Sequence, residues 1–273
     1  YRHPDRESYV LCQRCGRTVC GECQTQAAVG VHCPECRQEA RKSAPRTKPA
    51  LVTAINRARH GGGPVVTYSL LAINVVVYLL QQVTGGAVTE ALAYHPVLTT
   101  SEPWRMLTST FVHSQGSIFH ILFNGYALWL FGRMLEPALG PWRFLTLYLL
   151  SGLGGSAAVL WLSPGTWVVG ASGAVFGLFA AMFVIQRGLG GNATQLLIVI
   201  GLNLVIGFIP GSNISWQAHL GGLIVGALVA LVLMKTRSPR QAGKQRLLLL
   251  GVLILLVVTI ILGAATLVPR LIG

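Results

Sequence analysis

With 273 residues, 52% of them hydrophobic and 11% charged, and a mean hydropathy of +0.60, the chain is too apolar for an ordinary soluble globule and reads as a multi-spanning membrane protein. Its net charge of +13 would suit nucleic acid, but the basic residues sit at the edges of apolar runs, where a cytoplasmic membrane face accounts for them and no nucleic-acid partner is expected. All six cysteines fall between Cys12 and Cys36, a crowding into C-x-x-C pairs that points to metal in a reducing compartment and away from a disulfide framework.

Taken in chain order, residues 1–40 form a small Cys-rich module, with no cleavable signal peptide expected at its start. Cys12/Cys15, Cys20/Cys23 and Cys33/Cys36 are three ligand pairs, each able to grip one side of a tetrahedral zinc ion. Two zinc sites need four pairs. His3 is a candidate for the fourth, with a Cys immediately before Tyr1 as its prospective partner, and His32 is an alternative ligand. A redox role would need a thioredoxin-like context, which three pairs so close together do not supply. Residues 41–64 are a basic linker with Pro and Gly, expected to be mobile or to lie along headgroups.

Apolar runs near the roughly 20 residues needed to cross a bilayer predict seven helices, at 65–83, 117–132, 142–162, 171–187, 194–209, 216–234 and 247–268. Residues 84–116 are too polar for a span yet hold Trp104, Met106, Leu107 and Phe111, which predicts an interfacial loop partly sunk in the bilayer. Residues 235–246 are a basic connector. Lys and Arg number 11 in residues 1–64, two at 133–143, one at Arg187 and five in 235–246, leaving Arg105 and Arg270 for the other side. This asymmetry predicts a cytoplasmic N-terminus and an extracytoplasmic C-terminus in the cell membrane, in agreement with seven spans.

Within the apolar region, Gly170-Ala171-Ser172-Gly173 stands where a short outer loop enters the fourth helix. A helix start supplies free N–H groups and a positive dipole end, which stabilise an alkoxide or an oxyanion. Such small residues also serve simple helix packing, so Ser172 needs a partner. His219 is the candidate, about one turn into the sixth helix from its outer end and so at the same depth. An ionisable group in an apolar span is costly and marks a functional site, the alternative being an imidazole satisfied by a backbone carbonyl. Gly173/Gly177 and Gly222/Gly226 are small-xxx-small pairs that let the two helices approach closely.

His120 and Asn124, spaced i, i+4 on one face at the outer end of the second helix, suit an oxyanion hole or, alternatively, a structural interhelical hydrogen bond. No Asp or Glu falls inside a predicted span; Glu136 lies at the opposite end, and Glu90 and Glu102 in the outer loop are the carboxylates that could complete a triad. The residues therefore predict a Ser172–His219 dyad without a catalytic cofactor.

Together these motifs resemble the rhomboid family of intramembrane serine proteases. Gly170-Ala-Ser172-Gly looks like the nucleophile motif, Ala-His219-Leu-Gly-Gly like the base, and His120-Ile-Leu-Phe-Asn124 like the second-helix motif, over roughly residues 65–234. Trp104-Arg105 is similar to the family's outer-loop pair, and Glu136 to an acidic residue after the second helix. The resemblance implies an all-α membrane bundle: a catalytic core of six helices at 65–234, with 235–273 as connector and added seventh helix. It also implies cleavage of transmembrane protein substrates in or near their spans, with Gly170, His120 and Asn124 on the oxyanion and substrate side. Family members often carry a His five residues before the H-x-x-x-N motif; here His113 precedes His120 by seven. Phe176 stands where some members have Tyr, and its ring is expected near His219. The N-terminal module resembles cross-braced B-box-like modules, which implies one complete site from Cys12, Cys15, Cys33 and Cys36 and an incomplete one from Cys20, Cys23 and His3.

Two other classes compete. A silent rhomboid-like scaffold would typically lack the Ser or the His, and both are present. A small-solute transporter would show an intramembrane carboxylate or broken helices near the midplane, and neither is evident.

Overall fold

The computed structural model describes residues 2–27, 29–43, 63–209 and 214–272. The chain divides into two compact units, Tyr1–Gly61 and Gly62–Gly273. Most of the basic stretch 41–64 lies outside the described residues.

In the first unit, β1 (Thr25–Gln26) pairs antiparallel with β2 (Val31–His32), and α1 (Pro34–Ser43) follows. The buried cluster is Val19 with Cys12, Cys20, Cys23, Cys33 and Cys36. So few apolar side chains do not hold a domain of this size by burial alone; such small units normally add a metal or disulfides.

The second unit is all-α. Its long helices are α2 (Val65–Val83), α3 (Ile118–Leu139), α4 (Pro141–Leu162), α5 (Ser172–Gly188), α6 (Thr194–Gly207), α7 (Trp216–Lys235) and α8 (Ala242–Ile272). Among the described residues five of these are long and apolar enough to cross a membrane, while α5 and α6 are apolar but shorter. The protein is thus a multi-pass membrane bundle. Helix α5 is its centre: every residue from Gly173 to Met182 is buried, and α4 and α7 pack most closely on it.

Helix ends differ from the expected bounds at several places, and at two of them the contacts give the reason. Helix α3 runs to Leu139 and not 132, because the charged residues beyond 132 are absorbed. The Arg133 guanidinium lies 4.6 Å over the Trp129 ring, and Glu136 turns inward to the start of α2, accepting from Val66 N–H (2.9 Å), Thr67 N–H (2.7 Å) and the Thr67 hydroxyl (2.6 Å). The helix stops at Gly140, φ 88°, whose N–H bonds Glu136 O. Helix α8 starts at Ala242, ahead of 247, because Gln245 is buried and tied: its amide donates to Thr236 O (3.1 Å) and accepts from Arg143 Nε (2.7 Å).

The segment between α2 and α3, expected as an interfacial loop, contains short helices at Ala87–Leu92 and Arg105–Thr108. Arg105, 8% exposed, pairs with Glu102 at 2.6 Å and donates to the carbonyls of Ala93 and Glu90. Met106 is buried in the protein while Trp104 is exposed. At the end of α2, buried Gln81 donates to His113 O (2.8 Å) and accepts from His113 N–H (3.0 Å), fixing the chain just ahead of α3.

Candidate active site

The stretch leading into α5 is held from both sides. Tyr94 and Val168 form an isolated antiparallel bridge, Tyr94 N–H to Val168 O at 3.1 Å and Val168 N–H to Tyr94 O at 2.8 Å, and Gly170 N–H donates to Ser109 O at 2.9 Å. Gly170 then takes φ 120°, a region side chains rarely adopt, and α5 begins at Ser172. The first N–H groups of the helix have no intrahelical acceptor and face the same end as the Ser172 hydroxyl. A Cβ at Gly170 would lie 2.7 Å from His120 Nε2 and 3.8 Å from Ser172 Oγ, so the glycine leaves the gap into which both side chains point.

His219 comes from the first turn of α7, where the Ser215 hydroxyl caps the helix by accepting from Ala218 N–H at 3.3 Å. Its ring is 6% exposed and stacks on Phe176, centroids 3.9 Å apart and planes 11° from parallel. Phe176 is one turn after Ser172 on the same face of α5. The helices can come this close because Gly222 rests on the Gly173 carbonyl and Gly226 on Gly177; a Cβ at either would overlap the opposing backbone. Among the described residues no hydrogen bond joins Ser172 to His219, and His219 Nδ1 is buried without a partner. Such bonds are often long in ligand-free enzymes and tighten around substrate.

Asn124, 7% exposed, donates through Nδ2 to His120 O at 2.8 Å, leaving its second N–H for another acceptor. Glu102 is held by Arg105 and Glu136 by α2, as described, and Glu90 is exposed. Next to the start of α5 a cavity of about 10 Å³, lined by Ser109, Ser156, Gly170 and Gly173 among others, is about the size of one water.

In the N-terminal unit the cysteines converge as two groups: Cys12, Cys15, Cys33 and Cys36, and His3 with Cys20 and Cys23, the ligand atoms of each within 4.8 Å of one another. Cys15 Sγ is 3.7 Å from Cys33 Sγ, against about 3.8 Å between thiolates around a tetrahedral zinc with Zn–S near 2.3 Å. His3 Nδ1 lies 3.2 Å from Cys20 Sγ and 3.5 Å from Cys23 Sγ. The hydrogen bond with His3 holds the Cys20 thiol down, to about 7, against the opposing effect of burial, favouring the thiolate a metal needs. His32 lies on β2 and joins neither group.

Sequence reasoning missed Gln81, Thr67 and the Ser114 backbone, whose N–H donates to His120 Nδ1 at 3.1 Å. Gln81 carried a signal, an amide inside an apolar span. A backbone amide carries none.

A Rhomboid domain family model matches residues 100–236. The chain is 35% identical over 183 residues to the Rhomboid protease GluP of Bacillus subtilis (strain 168), covering 63% of this chain and 35% of that protein. It is 32% identical over 187 residues to the Putative rhomboid protease YdcA of the same organism, covering 65% of this chain and 92% of that protein. It is 28% identical over 215 residues to the Rhomboid protease AarA of Providencia stuartii, covering 64% of this chain and 75% of that protein. The chain thus spans about a third of GluP but nearly all of YdcA.

Proposed function

This chain belongs to the rhomboid family, and from that membership we propose that it is an intramembrane serine endopeptidase cleaving transmembrane proteins within or near their spans. Ser172 is the nucleophile and His219 the general base. The observation that carries the reading is the stack of the His219 imidazole on Phe176, which brings the ring to the face of α5 that bears Ser172. His219 takes the hydroxyl proton as Ser172 attacks the peptide carbonyl, then returns it to the leaving amine, and water releases the acyl group. The Ser172 N–H, His120 and the free N–H of Asn124, beside the gap left by Gly170, hold the oxyanion. The engagement of Glu102 and Glu136 elsewhere, and the unpartnered Nδ1 of His219, favour a dyad over a triad.

The N-terminal unit binds structural zinc through Cys12, Cys15, Cys33 and Cys36 and through His3, Cys20 and Cys23; the sulfur spacings support this. The basic segments face the cytoplasm, putting the N-terminus there and the C-terminus outside.

The test is cleavage of a model transmembrane substrate by purified protein. Wild type cleaves, while Ser172→Ala and His219→Ala lose the activity. Equal cleavage by all three would remove the assignment.

A further inference from the structure

The gap at Gly170 is served by one imidazole nitrogen of His120, and the proposed reaction needs that nitrogen to be a donor. Whether it is depends on the opposite side of the ring. There the Ser114 backbone N–H points at His120 Nδ1, 3.1 Å away. A backbone amide cannot accept, so Nδ1 must offer its lone pair, and a neutral imidazole then carries its proton on Nε2. Nε2 is the atom lying closest to the Gly170 gap, with Ser172 Oγ close to the same point.

We propose that the Ser114 amide is a positioning group: it fixes His120 in the neutral, Nε2-protonated tautomer and aims that N–H at the site where the oxyanion forms. This rests on the proposed protease reading for its role, though not for its geometry. A proton on Nδ1 would face the Ser114 N–H donor to donor. The ring is held in this attitude by its surroundings. His113 packs edge-on against it, ring centroids 5.3 Å apart, with both of its own nitrogens buried and unpartnered, so it offers His120 no competing hydrogen bond. The Ser114 amide is itself placed by the residue before it, since Gln81 binds both the N–H and the carbonyl of His113. The line of positioning therefore runs from α2 through the His113 peptide to the Ser114 amide and on to His120.

The tautomer is measurable without any substrate. Full-length protein labelled with ¹⁵N-histidine in detergent micelles gives two-bond ¹H–¹⁵N correlation spectra, in which the His120 pattern is identified by its loss in His120→Asn. The expected pattern at neutral pH is a bare Nδ1 and a protonated Nε2. A proton on Nδ1, alone or together with Nε2, overturns the proposal. Ser114→Pro, which deletes the N–H, mixes the two tautomers and lowers kcat by about tenfold with KM unchanged, a partial loss of one oxyanion donor; Ser114→Ala, which keeps the amide, keeps the wild-type tautomer pattern. A folded Ser114→Pro protein that keeps the wild-type tautomer also overturns it, and if that variant does not fold, the wild-type spectrum decides. A chain that cleaves nothing yet shows the bare Nδ1 would sink the protease reading and leave the tautomer assignment standing.

Discussion

The His219 imidazole and the Phe176 ring lie face to face, 3.9 Å between centroids, and this contact joins the two helices that carry the proposed dyad. With Nδ1 of His219 unpartnered, ring packing and not a carboxylate sets the plane of the imidazole. Phe176→Leu is expected to lower kcat by about tenfold, equivalent to about 1.4 kcal/mol, with a smaller change in KM. Phe176→Tyr, which keeps a stacking ring, should retain most activity. Steady-state kinetics on a transmembrane substrate decides this, and an unimpaired leucine variant would show that the stack does not matter.

Glu136 ties α3 to the start of α2 with three accepted hydrogen bonds. Hydrogen bonds to a charged group are worth about 1.5–3 kcal/mol each, and glutamine keeps the shape but loses the charge and one acceptor. Glu136→Gln should therefore destabilise the bundle by about 2 kcal/mol, seen as a lower unfolding midpoint in detergent, while the folded fraction keeps its turnover rate.

Gly222→Ala should be destabilising by about 1–3 kcal/mol, the usual range for overpacking, because the methyl would meet the Gly173 carbonyl. Gly251→Ala on α8 meets nothing within 4 Å and gains helix propensity, so its midpoint should hold or rise. Equal effects of the two would contradict the close α5–α7 packing.

Elemental analysis of the intact protein should find at least one tightly held zinc per chain. Cys36→Ser, which removes a ligand from the four-thiolate group, should lower that content, and a strong chelator should unfold the N-terminal unit, detectable as new protease sensitivity before residue 44. A metal-free protein with that unit folded would refute the zinc reading.

Composition and pattern alone determined the class of this protein. Apolar runs of bilayer length mark the helices whatever they pack against. An ionisable residue in such a run is costly enough that His219 and His120 stand out, whereas Ser172 needs the histidine as partner to be told from serines that only pack. C-x-x-C spacing brings cysteines together in pairs because three-residue separations close in a local turn. The tertiary structure alone decided how these parts are held. Glu136 reaches Thr67 across 69 residues, and Gln81 grips the His113 peptide 32 residues away. A backbone amide at Ser114 meets the ring of His120. Hydrogen bonds between distant segments leave no periodicity in the chain, and a backbone donor is identical at nearly every residue, so only folding singles out the one that faces the imidazole.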